Sequence, residues 1–167
     1  MPTASTPAPV DTGRVTGRRT LRFNTPPEME ADVAKLVEAE RAGRLTHVGN
    51  WSLGQALNHL GAWANFAFEP HPLNPPFFVR WIVGMRKSKY LNVGIPPGVR
   101  IPNVDGGTVV CEPTNLEEGL ARFNASWAKL KKETPTRPNV IFGKLTHQEW
   151  INLNLRHAEL HLSFFKL

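Results

Sequence analysis

A chain of 167 residues, 41% hydrophobic and 20% charged, suits one globular domain large enough to bury its own core. Its single cysteine, Cys111, excludes an internal disulfide and a cysteine-based metal cluster, which fits a reducing compartment. The net charge of +6 resides in two appendages, +3 from Arg14, Arg18, Arg19 and Arg22 against Asp11 and +4 from Arg80, Arg86, Lys87 and Lys89; the body is near neutral, so neither nucleic acid nor a membrane is the expected partner.

Residues 1–18 are rich in Pro, Thr, Ala and Gly and lack the apolar stretch of a secretory signal. They read as a flexible tail ahead of a domain spanning residues 19–167. No apolar run is long enough to cross a bilayer, and the expected location is the cytoplasm. Four capping-box patterns then mark helix starts: Thr25 with Glu28, Ser52 with Gln55, Thr114 with Glu117, and Thr146 with Glu149. The first helix opens on Pro26 and runs to about Ala42, with Met29, Val33, Leu36 and Val37 on one face and Gly43 as its stop. The second runs from about Leu53 to Phe68, ahead of Pro70 and Pro72.

A long excursion, residues 69–113, follows. Pro75 to Tyr90 predicts a short extra helix with Phe77, Phe78, Trp81, Ile82 and Met85 on its apolar side. Pro96, Pro97 and Pro102 forbid regular helix after it, and Val109, Val110 and Cys111 are expected to form an isolated extended piece. The third helix runs from about Asn115 to Lys132 on a stripe of Leu116, Leu120, Phe123, Trp127 and Leu130, and the fourth from about His147 to Phe165. No segment alternates enough for a sheet of any size. The expected fold is all-α: a four-helix bundle with a long crossover between helices two and three that carries the short extra helix.

His157 and His161 are four residues apart, which puts both imidazoles on one helical face. They interrupt the stripe Trp150, Leu153, His157, His161 and Phe164, so they should point inward, where an unpartnered imidazole is costly. His59 lies in the same way among Gln55, Ala56, Ala62, Trp63 and Phe66 on the second helix. Three neutral imidazoles from two helices suit a divalent metal with one position left for water or substrate. Spacing alone leaves open that the pair caps carboxylates or meets solvent, and there is no HExxH motif. Gln55 and Asn58 flank His59 and are candidates to orient a ligand or a water, though a cap explains Gln55 equally well. Arg100 on the proline-rich loop is a candidate for an anionic substrate group, a plain surface charge being the favoured reading. Glu159 falls about 200° round the helix from His157 and should face away. His47, His71 and His147 are read as solvent-facing, Cys111 as unactivated, and Trp51, Trp63, Trp127 and Trp150 as core.

The segments Trp51-Ser52-Leu53-Gly54-Gln55-Ala56-Leu57-Asn58-His59-Leu60 and Leu155-Arg156-His157-Ala158-Glu159-Leu160-His161 resemble the DinB-like superfamily. More narrowly, with Arg19-Thr20-Leu21-Arg22-Phe23, the Pro96-Pro97-Gly98 loop and Phe142-Gly143-Lys144-Leu145-Thr146, the chain is similar to the domain of unknown function family 1569. The resemblance implies a four-helix bundle in which His59, His157 and His161 hold a divalent ion, zinc or nickel being the expected ones, and a homodimer. The better understood branches of the superfamily use the metal to activate a low-molecular-weight thiol. The implied function is a metal-dependent enzyme, a hydrolase or thiol transferase acting on a small-molecule substrate through activated water or thiol. The alternative is a non-catalytic binding or stress-related module.

Overall fold

A computed structural model describes residues 9–167. Residues 1–8 of the expected tail lie outside the described residues. The rest of that tail lies along the body: Val10 and Asn50 exchange hydrogen bonds of 2.8 and 2.9 Å, and the Arg18 guanidinium donates to Ser163 Oγ and sits 4.6 Å above the Phe164 ring.

Four helices form the all-α bundle: α1 (Pro26–Arg41), α2 (Leu53–Asn65), α5 (Leu116–Lys132) and α6 (His147–Leu162). The crossover between α2 and α5 carries two short helices rather than one, α3 (Phe77–Gly84) and α4 (Lys87–Asn92), followed by a 3₁₀ turn at Asp105–Gly107. The break falls where Gly84, a poor helix former, precedes Met85 and Arg86. A two-residue antiparallel ribbon joins β1 (Thr46–His47) to β2 (Phe165–Lys166).

The helix starts follow the predicted signals unevenly. Thr146 and Glu149 close a full capping box. Ser52 caps the Gln55 N–H, but the Gln55 side chain turns to the Cys111 carbonyl instead of reaching back. Thr25 makes no side-chain cap, and Glu28 accepts from the Asn24 N–H at 2.8 Å. At α5 the cap is Asn115, not Thr114: its Oδ1 accepts from the Glu118 N–H at 2.9 Å, which frees Glu117 to take a two-toothed contact from Arg41. Asn is a stronger N-cap than Thr, so the helix begins one residue later than the Thr signal implies. Gly43 ends α1 as expected, at φ +67°, with Gly43 N–H bonded to Glu40 O and Arg44 N–H to Ala39 O.

The core is drawn from all four bundle helices: Met29, Val33 and Leu36; Leu53, Leu57 and Leu60; Phe123, Trp127 and Leu130; Trp150, Leu155 and Leu162. The closest helix pair is α2 with α5, and glycine makes that possible. A Cβ on Gly119 would lie 2.1 Å from Gly54 O, and one on Gly61 would lie 2.9 Å from Phe123 N and 3.0 Å from Arg122 C. These are backbone atoms, which cannot swing away as a side-chain tip can.

The chain entering α1 is tied to the end of α6. Arg19 makes a two-toothed ion pair with Asp32 at 2.8 Å and also donates to Leu162 O, while its own N–H bonds Ser163 O. Glu159 takes the Phe23 N–H at 2.6 Å and pairs with Arg156 at 2.9 Å. Burial raises the Glu159 carboxyl above its ordinary value, against the pull of the Phe23 N–H and the Arg156 and Arg22 charges.

Gly119→Ala should destabilise the fold by at least about 2 kcal/mol through backbone overpacking. Gly84→Ala, at a helical position with nothing within 4 Å, should be neutral or stabilise by up to about 1 kcal/mol. Urea midpoints of the two variants check this; equal midpoints would show that α2 and α5 do not meet through bare backbone.

Candidate metal centre

Helices α2 and α6 bring three imidazoles from distant parts of the chain to one point. His59 Nε2 lies 3.2 Å from His157 Nε2, which lies 3.0 Å from His161 Nε2. One ligand atom from each ring falls within 4.8 Å of the other two. His59 and His157 are buried, at 1% and 9% exposure, and His161 is partly covered. On α2 the glycine face sets the roll of the helix. Gly54, Asn58 and Gly61 point to α5, which turns His59, about 100° further round from Asn58, toward α6.

The crossover supplies the third wall. His59 Nδ1 lies 3.0 Å from Val109 O and 3.1 Å from Val110 O. Two carbonyls can only accept, so Nδ1 carries the ring proton and Nε2 presents a bare lone pair to the cluster. Val110 holds φ +54°, a left-handed conformation unfavourable for a β-branched residue, and it is not the extended piece expected there. The strain sits at the residue whose carbonyl faces the His59 ring. Gln55 braces the same loop by donating to Cys111 O.

Burial pushes His59 down to about 4 and holds His157 and His161 well below the ordinary imidazole value; for the last two, the neighbouring imidazoles push the same way. All three rings are therefore neutral at physiological pH. A neutral ring has one N–H, and His59 has placed its own on Nδ1. His157 and His161 cannot both protonate Nε2 at 3.0 Å without opposing two N–H groups. At least two of the three nitrogens thus offer lone pairs to a common point. A divalent cation is the group that satisfies such a set, and tetrahedral zinc with bonds of about 2.0–2.1 Å spaces its ligand nitrogens by about 3.3 Å, close to the 3.2 and 3.0 Å from His157 to His59 and His161. The residues present fit a metal, and the cluster, buried at His59 and His157, is capable of coordinating one.

The tryptophans read as core divide into two pairs. Trp127 and Trp150 are buried there. Trp51 and Trp63 instead wall the histidines. Trp51 stacks on His161 at 5.0 Å and 3° and meets His59 edge-on at 5.0 Å, and Trp63 lies 5.2 Å from His157. His71, expected to face solvent, is partly buried, with its ring 5.0 Å from Trp63 and 4.3 Å from Phe66. Its Nδ1 accepts the Leu73 N–H, leaving Nε2 to carry the proton. A histidine between prolines after an aromatic helix end was the sequence signal for that placement. Asn58 is turned away from the rings and accepts from Arg122 at 3.0 Å. Arg100 is exposed and lies along Gly107 in the crossover. Glu159 faces the Phe23 side, away from the cluster, as its helical angle requires. His47 is exposed as expected and bonds Gly49 O, whereas His147, also expected to face solvent, is half-buried where its ring reaches Leu130 O at the end of α5.

A family model described as "Protein of unknown function (DUF1569)" matches residues 15–167. No curated protein and no solved structure matches the chain.

Protein stripped of divalent ions should lose stability on acidification. The unfolded His59 ring takes a proton near pH 6.5, whereas the folded ring refuses it until about 4. Stability should be full above pH 6.5 and fall toward pH 4, by about 3 kcal/mol from His59 alone. Urea unfolding across that range, compared with a His59→Gln variant of shallower slope, checks the sign; parallel profiles would refute a buried neutral His59.

Proposed function

This chain belongs to the DUF1569 family of proteins of unknown function, and we propose from the geometry of its imidazole cluster that it is a metal-dependent enzyme. The observation that carries the reading is the meeting of His59, His157 and His161 through their ring nitrogens, at least two of them bare, between α2 and α6. His59, His157 and His161 would be the ligands, and a divalent ion held there, zinc or nickel being among those that imidazole donors suit, would lower the pKa of water or of a small thiol enough to make the anion available near neutrality.

The chain's own groups do the rest. Val109 and Val110 carbonyls fix the His59 ring in the tautomer and orientation a ligand needs. Trp51 stacks on the His161 face and Trp63 meets His157 edge-on, and together they keep bulk water from the rings, which strengthens every charge interaction inside. Water as the activated group gives a hydrolase and a low-molecular-weight thiol gives a transferase. A homodimer in the cytoplasm, where the free Cys111 stays reduced, completes the reading.

Elemental analysis of protein made without a polyhistidine tag should find close to one zinc or nickel per chain. His157→Ala should lower that content at least tenfold while leaving helical content intact by circular dichroism. Equal metal content in wild type and variant would overturn the proposal. Metal retained by three histidines, but with no position exchangeable by added thiol or azide, would overturn its catalytic half.

A further inference from the structure

The apolar residues of α3 do not enter the core. No residue of this helix is buried, and Phe77, Phe78, Trp81, Ile82 and Met85 are 82, 53, 67, 50 and 64% exposed. At about 100° per residue these five positions fill one continuous arc of about 140°. Val93 and Val99, at 69 and 63%, add to the same stretch of chain. Two large aromatic rings, a tryptophan, an isoleucine and a methionine turned outward on one arc exceed the scattered apolar exposure of an ordinary surface.

The charge carried by this stretch of chain has one sign. Residues 70–104 hold Arg80, Arg86, Lys87, Lys89 and Arg100 and no Asp or Glu. Lys87 is spent on Glu149 at 2.7 Å, and Arg80, Arg86 and Lys89 make no ion pair among the described residues. The helix is also held at its base rather than left to fray. The next helix, α4, buries Leu91, sets Tyr90 against Phe142 and receives the Arg22 guanidinium on its Asn92 and Val93 carbonyls.

We propose that the exposed arc of α3 docks on an anionic lipid surface, with the aromatic and aliphatic side chains entering the headgroup region and Arg80, Arg86 and Lys89 meeting lipid phosphates. An outward apolar arc with Trp and Phe, edged by Arg and Lys, is the pattern of a helix lying in the interface plane. It needs no spanning segment, and no helix of the described residues is long and apolar enough to cross a membrane. A second copy of the chain fits the arc less well. A two-fold contact there would press the same patch of both copies together, basic edge included, and residues 70–104 of that patch hold no carboxylate to offset Arg80, Arg86 and Lys89. The inference is independent of the metal centre.

The test is co-sedimentation of the full chain with vesicles of phosphatidylcholine alone and of phosphatidylcholine mixed with phosphatidylglycerol. Binding should be confined to the mixed vesicles and weaken as salt rises. Both Phe77→Ser with Trp81→Ser, and Arg80→Glu with Arg86→Glu, should reduce it at least about tenfold. All four positions are exposed, so the variants should keep wild-type circular dichroism and metal content. No vesicle binding, binding indifferent to phosphatidylglycerol, or undiminished binding by either double variant overturns the proposal. A dimer by sedimentation velocity that the Phe77 and Trp81 substitutions dissociate, without vesicle binding, overturns it in favour of contact between copies.

Discussion

The contact on which this architecture turns is between two helix backbones. Gly54, Gly61 and Gly119 let α2 and α5 approach until main-chain atoms touch, and no other residue type fits at those points. A contact of that kind fixes more than distance. It fixes the rotation of α2 about its axis, because only the glycine face can lie against α5. With that face committed, His59 has one direction left, toward α6. The geometry of the imidazole cluster is therefore set by residues that carry no side chain and touch none of the rings.

The second constraint comes from the crossover. A long connection would ordinarily be free to vary, but this one places two carbonyls on His59 Nδ1 and holds a β-branched residue in left-handed backbone to do so. Strain of that sort persists only where the surroundings over-determine the conformation. Gln55 on α2 and the close approach of Cys111 to Gly106 are the local restraints that hold the loop. The two constraints complement each other: the helix roll aims the ring, and the loop selects its tautomer.

Much of this was legible in the sequence, and the unread parts have physical reasons. Caps and periodicity placed all four long helices within a few residues, since both signals are local. His59, His157 and His161 were legible because a polar residue on an apolar stripe must find a partner. The glycine pair seven residues apart in α2 was present to be read, but glycine inside a helix signals cost and not contact until its neighbour is known. Trp63 shares the His59 stripe and Trp51 stands just ahead of the α2 cap, but an aromatic ring at either place suits a core as well, and only the tertiary arrangement separates a core ring from one that walls a site. The apolar arc of α3 has the pattern of a core-facing helix, and periodicity records amphipathicity without saying which side of the molecule receives it.

His59 and His157 stand 98 positions apart along the chain. An ion shared between them would join distant points of the polypeptide as a covalent bridge does, removing from the unfolded ensemble the freedom of a very long loop. By the chain-entropy relation for a cross-link of about 100 residues that restriction is worth about 4–5 kcal/mol, comparable to the whole net stability of many domains. Such a centre would make resistance to heat and proteolysis a function of ion supply, apart from any chemistry performed there.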